Sequence, residues 1–207
     1  MLGTLLLALP AVLFIVDPIG VVPLFVAMTA NDSADKCRAM ARRATLTATG
    51  VLVFFALFGT LVFQVFGVTL AAFRVAGGLL LMLTALDMLR AQPPHTKTTR
   101  AEAEEGFERE DIAIVPLAMP LLAGPGAIAT VMVLMAQHGG RWGNTLAVLA
   151  SIAITMGIAY AVLRSAQRVK AVLKQTGIAI LERVFGLILA AIAVQFVFDG
   201  GRELLKG

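Results

Sequence analysis

The sequence predicts an all-α membrane protein with six transmembrane helices, and three observations support this. Of its 207 residues, 59% are hydrophobic and 14% charged, whereas a soluble domain has about 45–50% apolar and 25% charged residues. Residues 1–16, 44–73, 112–140 and 142–163 contain no charge, and a membrane-spanning helix needs about 20 apolar residues. These stretches are continuously apolar, which excludes the alternating pattern of a membrane β-barrel.

The six predicted spans fall into two groups of three. Residues 1–90 contain the spans 3–29, 44–66 and 69–90, and residues 112–207 contain the spans 112–137, 143–164 and 177–199. Residues 91–111 begin with Ala-Gln-Pro-Pro, carry six acidic residues and are predicted to be a solvated cytoplasmic linker. The shorter predicted connections are residues 31–43, a turn at Gly67, residues 138–142 and residues 165–176. No Lys or Arg precedes the first apolar run, which we therefore interpret as a span and not as a signal peptide.

Lysine and arginine residues predict the orientation. Thirteen of them lie on the loops after the first, third and fifth spans or at that membrane face, and four lie on the opposite side. The excess marks the cytoplasmic side, so we expect an inner or plasma membrane protein with both termini on the non-cytoplasmic side. The net charge of +4 belongs to these loops, and without a basic stripe interleaved with aromatics we expect no nucleic-acid partner.

Enzymatic and metal-binding motifs are not found in the sequence. The single cysteine, Cys37, excludes an internal disulfide and provides no metal cluster. There is no His-Glu-x-x-His pattern, no Gly-x-Gly-x-x-Gly and no Walker loop. We therefore expect no enzymatic activity, no cofactor and no metal site.

An internal repeat relates the two groups of spans. Arg74-Val-x-Gly77 matches Arg183-Val-x-Gly186 at an offset of 109 residues, and Asp17-Pro-Ile-Gly20 matches Gly124-Pro-Gly126 at an offset of 107. Because each group has three spans, the second group enters the membrane from the opposite side, and the repeats are inverted. Inverted repeats with interrupted helices in corresponding positions are typical of secondary transporters, whose substrates bind near the midplane.

The interruptions predict the substrate site. Pro18 cannot continue a helix, and Asp17 followed by Pro18 is a favourable start for a new one, as is Gly124-Pro125 without the carboxylate. Two half-helix N-termini would then meet and bind a carboxylate through backbone N–H groups, with Asp17 facing an ammonium group or a coupling ion, H⁺ or Na⁺. A small neutral amino acid has both charges. The predicted substrate-binding residues are Asp17, Pro18, Ile19, Gly20, Gly124, Pro125, Gly126 and Ala127.

Other polar residues within the spans allow more than one interpretation. Gln64, Thr84, Asp87 and Gln195 are candidates for pore lining, although hydrogen bonds between helices explain such residues at least as well. Asp87 also lies close to Arg90, where an ion pair at the membrane surface is the favoured interpretation. A stripe of small residues on the fifth span is interpreted as helix packing, and it consists of Ala147, Ser151, Thr155 and Ala159.

Three segments resemble the signature stretches of the MarC family of integral membrane proteins, which includes the SnatA-like amino-acid transporters. They are Asp17–Phe25, Ala76–Met88 and Val115–Ile128. The resemblance covers essentially the whole chain and implies six spans and the transport of glycine, alanine and related neutral amino acids. Many members have Asn at the position of Asp17, so a charge there is not general to the family.

Two alternatives to an amino-acid transporter stay open at this point. One is a transporter or flippase for another small anionic or lipid-linked substrate. The other is a non-transporting membrane protein that acts in assembly or stress. The lipid bilayer is the expected environment in each case, and a homo-oligomer is compatible with all of them.

Overall fold

The computed structural model describes residues 1–90, 113–138, 140 and 142–205. These residues form helical segments and no strand, which confirms the all-α prediction for this part of the chain. The predicted linker 91–111 lies outside it. The segments are α1 (Leu2–Val16), α2 (Val22–Met28), α3 (Ala34–Phe66), α4 (Leu70–Leu89), α5 (Ala113–Leu122), α6 (Pro125–His138), α7 (Trp142–Arg164) and α8 (Ala166–Leu204).

Four of the described segments are long and apolar enough to cross a membrane. They are Ala34–Gly59 of α3, Leu70–Leu89, Trp142–Arg164 and Thr176–Leu204 of α8. The α5 and α6 helices, bent by 55° at a short break, form a fifth candidate span when taken together. The first apolar helix, α1, has 15 residues and is too short to cross a membrane by itself.

Two connections that the sequence analysis interpreted as loops are largely helical. In the segment 31–43, α3 begins at Ala34, where Ser33 Oγ accepts the Lys36 N–H at 3.3 Å, a typical N-cap contact. In the segment 165–176, α8 begins at Ala166, and regular helical dihedral angles are interrupted at Lys174 (φ 52°, ψ 179°). Ala, Lys and Arg favour helix, so the charged segments extend the helices beyond their apolar parts.

Glycines allow α4 and α8 to pack closely in an antiparallel pair. A Cβ atom at Gly78 would lie 2.9 Å from Ala193 O, and one at Gly186 would lie 3.0 Å from Ala85 O. Gly200 approaches the start of α4 in the same way, so close contact extends along the whole of α4. The predicted turn between α3 and α4 is present, with Gly67 at φ 62°.

Candidate functional site

The first helix break separates α1 from α2, and Asp17 organises it. Asp17 is 5% exposed and adopts left-handed dihedral angles (φ 50°, ψ 66°). Its N–H donates to Leu13 O at 3.0 Å and closes α1, while its Oδ1 accepts the Gly20 N–H at 3.1 Å. The turn then closes through a hydrogen bond from Val22 N–H to Ile19 O at 3.1 Å. Asp17 therefore ends one helix and caps the next turn of the chain.

The prediction that a helix begins at Pro18 is wrong. Residues 18–21 form a turn, and α2 begins at Val22 with Pro23 in its first turn. The Asp17 side chain accepts a backbone N–H, as expected of a cap. That N–H belongs to Gly20 in the turn and not to a helix. Pro23 has a fixed φ and no N–H, which suits the start of a helix, and it sets where regular helix resumes.

The second break separates α5 from α6 and is shorter. Within α5 the dihedral angles are extended at Val115 and Met119, each of which precedes a proline that disfavours helical angles. Helix α6 begins at Pro125, as the sequence analysis predicted, and the Ile128 N–H donates to Gly124 O at 3.0 Å. This break carries no charged side chain of its own.

The two breaks lie next to each other. A Cβ atom at Gly126 would lie 3.0 Å from Ile15 Cδ1 and 3.6 Å from Leu81 Cδ2. Ile15 is two residues before Asp17, and Gly126 is two residues after Gly124, so the end of α1 contacts the first turn of α6. The first-turn N–H groups of a helix have no acceptor within the helix and form the positive end of its dipole. The arrangement therefore places a positive backbone end close to the Asp17 break.

Glu182 of α8 adds a second carboxylate that the sequence analysis missed. A Cβ atom at Gly20 would collide with Asp17 Oδ2 and would lie 3.2 Å from Glu182 Oε1. Only glycine leaves room for both carboxylates at this position. The available signal was an acidic residue inside the apolar stretch 177–199, directly before the repeated Arg183-Val-x-Gly motif.

Thr155 of α7 lies at the depth of the first break. Helices α1 and α7 are parallel, and Thr4 Oγ1 donates to Asn144 Oδ1 at 3.0 Å. Thr155 follows Asn144 by eleven residues and Ile15 follows Thr4 by eleven, about three helical turns in each case. Thr155 is therefore level with Ile15 and faces α1. It is fully buried, and among the described residues its hydroxyl has no hydrogen-bond partner.

Of the four candidates for pore lining, two lie on α4 and one lies on α8. Thr84 and Asp87 are buried on α4, beyond Leu81, and the Thr84 hydroxyl donates to a carbonyl of its own helix at 3.0 Å. Gln195 is exposed and donates to the Asp199 carboxylate at 2.9 Å on the same helix. The side chain of Gln64 lies outside the described part of the structure. Within the described residues, no cluster of three or more His, Cys, Asp or Glu could hold a metal ion.

The stripe of small residues on α7 is buried, as helix packing requires. Ala147, Ser151, Thr155 and Ala159 are each at most 3% exposed. Ser151 Oγ donates to Val148 O at 2.7 Å, so its hydrogen bond is made within α7. Thr155 differs from Ser151 in this respect, and it is the member of the stripe that can still interact with a ligand.

Comparisons with known proteins agree with the resemblance found in the sequence. A family profile described as "MarC family integral membrane protein" matches residues 2–205. The chain is 41% identical to a UPF0056 membrane protein of Methanocaldococcus jannaschii over 97% of both chains. It is 38% identical to a UPF0056 membrane protein of Aquifex aeolicus, over 95% of this chain and 91% of that protein. No solved structure matches it significantly. The chain therefore belongs to the MarC family of integral membrane proteins.

Proposed function

We propose that this protein is a six-span secondary transporter of small neutral amino acids such as glycine and alanine. The observation that supports this most is the contact between the two broken helices, from Ile15 near Asp17 to Gly126 in the first turn of α6. The carboxylates of Asp17 and Glu182 lie around Gly20, and the positive end of α6 contacts α1 two residues before Asp17. Opposite charges that face one region suit a zwitterion.

Each end of the substrate has a separate binding group in this proposal. The substrate carboxylate binds the N–H groups at the start of α6, at Gly126 and Ala127, where the backbone dipole favours an anion. The substrate ammonium binds Asp17 and Glu182, which flank Gly20. Thr155 supplies a hydroxyl at the same depth. The Ile15 and Leu81 side chains close the region beside Gly126, which favours small substrates such as glycine and alanine.

The helix contacts support inverted repeats. Under the repeat, the pair α1–α2 corresponds to α5–α6, α3 to α7 and α4 to α8. Helix α1 packs against α7, and the corresponding pair, α5–α6 with α3, also packs together. Helices α4 and α8 correspond to each other and are antiparallel, as an axis in the membrane plane requires. In this proposal α1 and α2 together form the first of the six spans, with the break inside it. One repeat moves against the other during transport.

In this proposal the site lies near the midplane of the membrane. The two breaks correspond to each other under the repeat and lie next to each other, so the axis that relates them passes between them. A proton or sodium ion that binds beside Asp17 is the proposed coupling ion.

Labelling of Cys37 tests the proposed orientation, in which both termini lie outside the cell. Cys37 is the single cysteine of the chain and lies near the start of α3. We expect a membrane-impermeant maleimide to label it only after intact cells are opened. Labelling in sealed cells would show that Cys37 lies outside, and the proposed orientation would then be wrong.

Counterflow in liposomes tests the proposed function. Purified protein is reconstituted into liposomes that are preloaded with an unlabelled amino acid. A panel of radiolabelled amino acids is then added outside the liposomes. We expect accumulation of labelled glycine and alanine, and its loss when Gly124→Leu places a bulky side chain at the start of α6. Accumulation of none of the panel would reject amino-acid transport. Scrambling of labelled phospholipid would then favour the flippase alternative.

A further inference from the structure

A cavity of about 550 Å³ opens at the predicted cytoplasmic side, and its lining includes none of the break residues 17–21 and 123–124. It lies between the end of α2, the start of α3, the end of α7 and the start of α8. Its apolar wall includes Phe25, Val26 and Leu163. Its polar wall includes Arg38, Arg164, Arg168 and Tyr160.

The charges that line this cavity are mainly positive. Three arginines and one acidic residue, Asp32, line the cavity, and the Asp32 carboxylate lies 2.7 Å from Lys36 Nζ. Arg38 contacts the exposed Asp35 at 2.9 Å. Within the described residues, Arg164 and Arg168 form no ion pair with a carboxylate. An anion that enters the cavity would therefore meet positive charge contributed by three different helices.

The start of α8 adds backbone donors to the same wall. Ser165 precedes α8, but its Oγ donates to Ala161 O at 2.6 Å and does not cap the helix. The first-turn residues Ala166 and Gln167 line the cavity, and N–H groups at a helix start lack acceptors within the helix. These donors supplement the arginines.

We propose that this cavity binds the phosphate group of an anionic phospholipid. The planar arginine fork matches phosphate oxygens, and basic cavities between spans on the cytoplasmic side are suited to lipid head groups. The apolar wall accommodates the glycerol and the start of the acyl chains, which a free phosphate ion would leave uncovered. This site is separate from the transport site and does not depend on the proposed function.

Cys37 provides a direct measure of occupancy because it lies in the wall of the same cavity. Purified protein in a neutral detergent is titrated with phosphatidylglycerol or with phosphatidylcholine. The rate of maleimide labelling at Cys37 and the Tm are measured. We expect phosphatidylglycerol to slow labelling and raise Tm, and phosphatidylcholine to do neither.

Matched arginine variants test whether the named residues bind the lipid. Losing one charge-assisted contact should weaken the apparent affinity of Arg164→Gln or Arg168→Gln for phosphatidylglycerol by about tenfold. Arg42→Gln removes the same charge from the exposed surface of α3, outside the cavity, and should leave the affinity unchanged. An equal loss in Arg42→Gln would show a general charge effect and overturn the proposal.

Inorganic phosphate separates the two sources of the anion. We expect that phosphate, at the concentration at which phosphatidylglycerol protects Cys37, gives no protection. Equal protection by free phosphate would assign the cavity to a soluble anion and overturn the lipid proposal. Equal protection by phosphatidylcholine would overturn it as well, because the arginines would then have no role in selectivity.

Discussion

The two helix breaks share a proline and glycine signal but differ in structure and charge. The first leaves residues 17–21 outside regular helix and has the carboxylates of Asp17 and Glu182 around Gly20. The second leaves Ala123 and Gly124 between α5 and α6, follows a segment with extended dihedral angles at Val115 and Met119, and has the apolar neighbours Ile15 and Leu81. One break therefore presents negative side chains, and the other presents a backbone with positive polarity.

The two breaks differ in the residue that precedes the proline and in how soon regular helix resumes. Asp17 uses its carboxylate to hold the Gly20 N–H, so a turn forms and helix resumes only at Val22. Gly124 has no side chain that could form such a turn, and α6 begins at Pro125. In the proposed mechanism the two breaks bind opposite ends of one substrate.

Adding one methyl group at Gly20 should have a very different effect from adding it at Gly157, and this is the largest difference we expect. Gly20→Ala places its Cβ against the Asp17 carboxylate and close to Glu182. Both carboxylates must move, so the apparent affinity for alanine in counterflow should fall by more than about a hundredfold. Gly157→Ala on α7 adds the same methyl group at a position where no atom of another described segment lies within 4 Å.

The Gly157→Ala variant is the matched control for that experiment. We expect its affinity for alanine to stay within about threefold of the wild type, because the added methyl group displaces nothing and alanine favours helix by about 0.5–1 kcal/mol over glycine. Equal losses in both variants would show that the loss does not come from the carboxylates around Gly20.

Neutralising the carboxylates should have the next largest effect. Asp17→Asn keeps the cap acceptor and Glu182→Gln keeps the shape, and each removes a charge. A charge-assisted hydrogen bond contributes roughly 1.5–3 kcal/mol, so the affinity for alanine should fall about ten- to a hundredfold. Glu203→Gln, whose carboxylate contacts Arg74 near the chain end, serves as the control. Wild-type affinity in Asp17→Asn would mean that Asp17 only caps the turn.

Some of this structure could be predicted from sequence, and some depended on packing. Long charge-free stretches predicted the membrane helices, and Pro125 marked a helix start correctly. The start of α2 was misplaced because two prolines, Pro18 and Pro23, compete for it within six residues. Glu182 was missed because its position beside Gly20 depends on how α8 packs against the first break, which local sequence does not specify.

A smaller effect is expected at Thr155. Thr155→Val keeps the shape and removes a buried hydroxyl that has no partner among the described residues. Losing a neutral hydrogen bond to the substrate, about 0.5–1.5 kcal/mol, should weaken alanine binding about two- to tenfold. Ser151→Ala is the control, because that hydroxyl is bonded within α7. If Thr155→Val raised Tm without changing affinity, the hydroxyl would not contact the substrate.

The central claim is that each break binds one end of a zwitterion, and competition by analogues with a single charge tests it most directly. Propionate and ethylamine are titrated against labelled alanine in counterflow with the wild type and Asp17→Asn. In the wild type, each analogue should compete at least about tenfold more weakly than alanine, since each lacks one charge-assisted contact. In Asp17→Asn the ratio between the apparent affinities for alanine and propionate should shrink, while the ratio between those for alanine and ethylamine should stay as in the wild type. Propionate that competes as well as alanine in the wild type would contradict the claim, because the carboxylates at the first break would then contribute nothing to substrate binding.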